Sequence, residues 1–195
     1  DALPIYKPKT YAGIVAIASS TGGPQALTLL LSSVSNNFPC PIVIAQHIAR
    51  GFVDGLVGVL SNSSNLKVKK GEQGESLDAG VVYISPASKH MIIDGNRKVN
   101  LIKHQPLDIY FPSCNRLLSS VADAYRSECF GIILTGMGRD GVLGMQKIKE
   151  AGGKTVAQDE STSIVFGMPR EAIAHGCIDV VAPIQDIQTI LQGMS

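Results

Sequence analysis

The sequence carries almost no net charge. Its 17 Lys and Arg residues face 16 Asp and Glu, which leaves +1 over 195 residues. Nucleic-acid binding driven by counterion release needs a basic face, and this balance implies none. The only basic cluster is Lys67, Lys69 and Lys70. Glu72 and Glu75 follow at once, so it reads as a solvated strand end. No apolar run is long enough to span a bilayer, so no membrane-embedded segment is expected. The start of the chain lacks a basic region followed by an apolar core, so no signal peptide is expected either. Cys40, Cys114, Cys129 and Cys177 form no CxxC pair, and none sits near a histidine pair at metal-ligand spacing. They read as buried thiols in a reducing cytosol, which makes the expected location cytoplasmic. There is no internal repeat and no low-complexity segment.

What remains is an ordinary globular composition, 45% hydrophobic, at a length that suits one domain with a full core. Residues 1–12 hold Pro4, Pro8 and two lysines and read as a linker remnant; residues 13–195 read as the domain. The first residue is Asp1 rather than Met, which fits a piece cut from something longer. Apolar strand-like runs at 13–18, 42–46, 131–135, 155–158 and 178–181 alternate with helical patterns. The helices are expected from Pro24 to residue 35 and at 53–60, 113–125, 141–151, 170–174 and 184–191. Residues 66–103 differ. Short β-branched segments and the turn signal Asp94-Gly95-Asn96 predict an antiparallel hairpin section beside the main sheet. The fold class is therefore α/β: a doubly wound, mainly parallel sheet flanked by helices, with an antiparallel hairpin section.

Three turns each follow an apolar run, and each offers one chemical group. Ser19-Ser20-Thr21-Gly22-Gly23-Pro24 offers a hydroxyl, Gln46-His47 an imidazole, and Gly136-Met137-Gly138-Arg139-Asp140-Gly141 a carboxylate. In an open parallel sheet the strand C-termini lie along one edge, where ligands bind. Ser20, His47 and Asp140 can meet there although far apart in sequence. Sequential strands are usually neighbours, which puts His47 beside Ser20. Serine is a weak nucleophile and needs such a base. Helix-terminal N–H groups near Ser20 can stabilise an oxyanion.

Each residue also has a plainer reading. Ser20 sits in what could be a capping turn or a phosphate cradle, and the G-x-S-x-G elbow is absent, with Ala18 at its first glycine. His47 could be a strand-end histidine, with His90, His104 and His175 as rivals for the base. Asp140 could simply cap its own helix. The loop from Gly136 to Gly141 also matches G-x-G-x-x-G, with Asp159 where a ribose-binding acid would stand. A dinucleotide-binding oxidoreductase is thus a second reading, although Asp140 would put a carboxylate inside its pyrophosphate cradle.

At these residues the sequence resembles the catalytic domain of chemotaxis protein-glutamate methylesterases, the CheB family. The likeness runs from about Gly13 to the C-terminus. It is strongest in Ser20-Thr21-Gly22-Gly23, in Gln46-His47, in Leu134-Thr135-Gly136-Met137-Gly138-Arg139-Asp140-Gly141, and in Phe166-Gly167-Met168-Pro169-Arg170-Glu171-Ala172-Ile173. The resemblance implies Ser20 as nucleophile, His47 as base, Asp140 as orienting acid, and oxyanion or substrate contacts at Thr21 and Met137. It implies hydrolysis of glutamate γ-methyl esters on chemoreceptor helices with release of methanol, and some glutamine deamidation. It implies no metal and no organic cofactor. It also implies an N-terminal receiver domain in the full-length protein. A catalytically silent receptor-docking domain is the non-enzyme alternative. The sequence departs from the family at Ala18, at Ala49, and at His104-Gln105-Pro106-Leu107-Asp108, which is one residue short of the usual His-x-Pro-Ser-x-Asp.

Overall fold

The computed structural model describes residues 13–194. The expected linker remnant, residues 1–12, lies outside the described residues. Strands β1 (Ile14–Ser19), β2 (Ile42–Gln46) and β7 (Cys129–Ile133) are buried along their whole length. They read as unbroken apolar runs because helices cover both faces of the sheet. With β3 (Lys67–Lys70), β4 (Val81–Ile84), β8 (Lys154–Gln158) and β9 (Val180–Ala182) they form a seven-stranded sheet in the order β3-β4-β2-β1-β7-β8-β9. Every pairing in it is parallel.

The period of two decides which side chain meets which layer. Val15, Ile17, Ile42, Ile44 and Ile132 point to one core, with Leu27, Leu30 and Leu31 of α1 (Gly23–Leu31), Leu56 and Leu60 of α2 (Val53–Ser63), and Ile187 and Leu191 of α6 (Ile184–Gln192). Ile14, Ala16, Ala18, Val43 and Ala45 point the other way. They meet Leu117, Leu118 and Val121 of α3 (Cys114–Tyr125), Met145 and Ile148 of α4 (Val142–Glu150), and Met168 and Ala172 of α5 (Met168–Ala174). Small residues at positions 16, 18 and 45 leave room for α3 and α4 to approach the sheet closely.

The hairpin section is smaller than the sequence led us to expect. Among the described residues it is one strand pair, β5 (His90–Ile93) with β6 (Val99–Ile102), and a single antiparallel bridge between Ser76 and Lys98. Strand β4 is a parallel strand between β3 and β2. A four-residue β-branched segment signals a strand but says nothing about its direction. The Asp94 carboxylate closes the β5–β6 turn by accepting the N–H groups of Asn96 and Lys98 at 2.8 and 3.0 Å. The basic cluster is edge strand β3, with Lys69 paired to Glu72 and Glu75 and Lys70 to Asp54. All four cysteines are buried and free.

From β1 the chain winds outward through β2, then returns to β7 on the other side of β1. The strand order therefore reverses between β1 and β7. Such a switch point opens a crevice at the strand C-termini.

Candidate active site

All three chemical groups arrive at that crevice. Ser20 follows β1, His47 follows β2, and Asp140 stands in the loop after β7. Ser19 pairs with Gln46 across β1 and β2, so Ser20 and His47 leave the sheet side by side. The His47 N–H donates to the Ser19 carbonyl at 3.0 Å, and the Ser20 N–H to the Thr135 carbonyl at 3.0 Å. The positions that begin all three loops are thus tied to one another through backbone.

Gln46 is the clamp at this junction, and sequence reasoning gave it no role. It is buried at the end of β2. Its Nε2 donates to the carbonyls of Ser20 and His47 at 2.8 and 2.9 Å, while its Oε1 accepts the Ser19 hydroxyl. A Cβ on Gly23 would collide with that same Gln46 oxygen, so the second glycine of the serine turn is needed for space. Gly22 is needed for conformation, at φ 80° in the left-handed region.

The His47 Nε2–H donates to Asp140 Oδ2 at 2.7 Å. The Asp140 side chain is fully buried, and 15% of the His47 side chain is exposed. Asp140 also accepts the N–H of Cys114 at 2.7 Å and the N–H of Asn115 at 2.9 Å. These are the first two residues of α3, so the carboxylate meets the positive end of that helix dipole. This corrects the capping expectation. Gly141, not Asp140, precedes α4, and the α4 terminus is held by Asn115 Oδ1, which accepts from Gly141 and Gly144 at 2.9 and 3.0 Å. The two helices hold each other's starts. Tyr110 stacks on the outer face of the His47 ring at 5.1 Å between centroids and 6° between planes.

With Nε2 engaged by Asp140, the nitrogen left for a proton from Ser20 is Nδ1. Among the described residues Ser20 Oγ makes no hydrogen bond to His47; the structure brings His47 and Asp140 into contact and leaves the serine beside them. Catalytic hydrogen bonds are often long before substrate arrives. Thr21 and Met137 flank Ser20. Among the described residues their N–H groups have no protein partner, and the Met137 side chain is exposed. The Met137 loop is pinned beside the serine: a Cβ on Gly136 would stand 2.7 Å from the Ser20 Cβ, and the Gly136 carbonyl accepts the N–H groups of Gly167 and Met168.

A family model described as CheB methylesterase matches residues 15–191. The chain belongs to the CheB methylesterase family. It is 44% identical over 179 residues to protein-glutamate methylesterase/protein-glutamine glutaminase 3 of Paramagnetospirillum magneticum, covering 92% of this chain and 50% of that protein. It is 42% identical over 185 residues to protein-glutamate methylesterase FrzG of Myxococcus xanthus, covering 95% of this chain and 55% of that protein. The crystal structure of the Thermotoga maritima CheB methylesterase catalytic domain superposes with a TM-score of 0.89 at 39% identity, covering 94% of this chain and 99% of that one. The chain thus spans about half the length of the curated relatives it matches.

The family sets the other readings aside, and the geometry agrees. A dinucleotide cradle in the loop after β7 would need its backbone open, but Asp140 is turned inward onto His47 and α3. Asp159 is spent on its own turn, accepting the hydroxyls of Ser161 and Thr162. The relatives' names are those of enzymes, which leaves the silent docking domain without support. Of the rival histidines, His175 is exposed. His90, expected as a hairpin residue free to face solvent, is fully buried. Its Nε2 lies 2.8 Å from Asp108, and its Nδ1 accepts the Ser113 N–H at 3.0 Å. Ser113 caps α3 by accepting the Arg116 N–H, and Asn115 caps α4.

Proposed function

We propose that this domain hydrolyses glutamate γ-methyl esters on the cytoplasmic helices of chemoreceptors, with Ser20 as nucleophile, His47 as base and Asp140 as orienting acid. The observation that carries the reading is the 2.7 Å contact of His47 with the buried Asp140 at the switch-point crevice, next to a serine at a helix start. Ser20 Oγ attacks the ester carbonyl while His47 Nδ1 takes its proton. The tetrahedral oxyanion forms beside the N–H groups of Thr21 and Met137. His47 then gives the proton to the departing methoxide, and methanol leaves. A water molecule, deprotonated by His47, opens the acyl-enzyme and returns the receptor glutamate. Glutamine deamidation follows the same steps with ammonia as leaving group. Asp140 stays a carboxylate throughout: it fixes the ring and stabilises the imidazolium that forms twice per cycle.

The reaction needs no group beyond these side chains and water. The substrate places the enzyme in the cytoplasm, and among the described residues no helix is long and apolar enough to cross a membrane. The additional length of the relatives supports a second domain in the full-length protein, which we read as a phosphorylatable receiver. The test is methanol release from methylated receptor membranes, with Ser20→Ala as the control. No release by the unaltered chain on any methylated receptor would send the search to another ester.

A further inference from the structure

Beside the groups that the ester chemistry uses, the crevice holds a thiol that it does not, and the three together stand at metal-ligand spacing. His47 Nε2, Cys114 Sγ and an Asp140 carboxylate oxygen all lie within 4.8 Å of one another. The thiol stands 3.6 Å from Nε2, and the carboxylate 2.7 Å from it. In a tetrahedral zinc site the bond lengths put neighbouring ligand atoms roughly 3.4–3.6 Å apart. The sulfur–nitrogen separation already fits, and the nitrogen–oxygen pair has to open by less than about 1 Å. The three ligands come from the end of β2, the first turn of α3 and the loop before α4, so their spacing is set by packed elements and not by one flexible loop. A neutral imidazole, a thiolate and a carboxylate together balance a divalent charge. Nitrogen, sulfur and one oxygen is a donor set for zinc, not for magnesium or calcium. Asp140, Tyr110 and Asn115 line a neighbouring surface groove of about 340 Å³, and His47, with 15% of its side chain exposed, is the ligand that solvent reaches.

We propose that this chain binds a zinc-like divalent cation through His47, Cys114 and Asp140, and that the bound cation switches the esterase off. In the free protein burial, and then the neighbouring Asp140, hold the Cys114 thiol well above its ordinary pKa, so the sulfur stays protonated and quiet. When the ion enters, the thiol proton leaves to solvent and sulfur bonds to the metal. The imidazole bonds through Nε2, and the proton it carried there moves to Nδ1. Nδ1 is then blocked as an acceptor for Ser20, and Asp140 no longer orients the ring. The inhibition rests on the triad reading above; the binding does not.

The experiment separates the two. Chelator-treated protein is titrated with zinc by calorimetry and, as a spectroscopic probe, with cobalt(II). The expected result is one ion per chain at micromolar concentration and an intense thiolate-to-cobalt band. Both should persist in Ser20→Ala and vanish in Cys114→Val and in Cys114→Ala, two variants that fill the thiol's space differently in case one fails to fold. In the methanol assay saturating zinc should slow the unaltered protein roughly a hundredfold or more, the share a general base supplies, and a chelator should restore it. Each Cys114 variant is compared with its own rate in chelator and should change less than twofold. Absence of the cobalt–thiolate band in the folded, unaltered protein overturns the site, as does zinc inhibition that survives both Cys114 variants. If the band forms but Ser20→Ala still hydrolyses the ester, the metal site stands and the triad reading falls.

Discussion

Asp140 holds three partners at once, His47 and the N–H groups of Cys114 and Asn115. An amide in its place offers one acceptor oxygen and turns its NH2 toward at least one of these donors. Asp140→Asn should therefore slow methanol release by roughly 10⁴ and also cost about 1–3 kcal/mol of stability. If thermal unfolding moves while the rate does not, Asp140 only ties α3 to α4. A second carboxylate sets an acid limit. The Gln105 N–H, then His90 and Arg116, hold the Asp108 carboxyl well below the usual carboxylate range. A depressed value stabilises the fold above the unfolded-state pKa of about 3.9, and that contribution is lost as the pH falls from there toward the folded value. The melting temperature of the unaltered chain should drop in that window. Asp108→Asn should melt lower at neutral pH and show a shallower acid slope. Equal slopes for the two proteins would place the acid sensitivity elsewhere. That His47 and Asp140 could meet at one sheet edge was legible in the sequence because each lies in a segment that follows an apolar strand; the part of Ser20 beside them is the proposal made above. Cys114, Asn115 and Tyr110 were not legible, because their contacts span long sequence separations and residues 103–112 have no period to read.

At the scale of elements, the site is a set of helix starts and strand ends pinned to one another. The alternation of strands and helices was legible, as was the β1–β2 neighbourhood. The direction of β4 was not, since four β-branched residues look the same in either sense. Nor was the exchange of caps between α3 and α4, which only packing creates. Gln46 and Gly23 make that dependence testable. Gln46→Ala leaves the Ser19 hydroxyl and the His47 carbonyl without their partner, at about 1–3 kcal/mol for each group that water cannot reach, and leaves the Ser20 carbonyl only the Gly23 N–H. Gly23→Ala drives a methyl into the same Gln46 oxygen. Both should lower the melting temperature and the turnover rate. The double variant should lose less than the sum, because both act through one side chain. Strict additivity in thermal unfolding would mean that Gly23 serves only the α1 turn.

At the scale of the whole molecule, apolar side chains stand exposed around a polar centre. Ile109 lines the groove beside Asp140, Ile164 packs against Gly22, and both are more than half exposed. Exposed apolar groups rimming a site mark an interaction surface. Ile109→Glu and Ile164→Glu should raise KM for methylated receptor while leaving hydrolysis of a small activated ester unchanged; equal loss on both substrates would mean damage to the site itself. A longer form of the protein, carrying a receiver domain, should release methanol more slowly than this domain until phosphorylated, if that domain covers the rim. The most direct test of the account is methanol release from methylated receptor membranes by the unaltered chain and by Ser20→Ala at matched folded concentration. The account predicts release by the first and a loss on the order of 10⁶-fold in the second, with nearly equal melting temperatures. Activity in Ser20→Ala within about tenfold of the unaltered chain would contradict it.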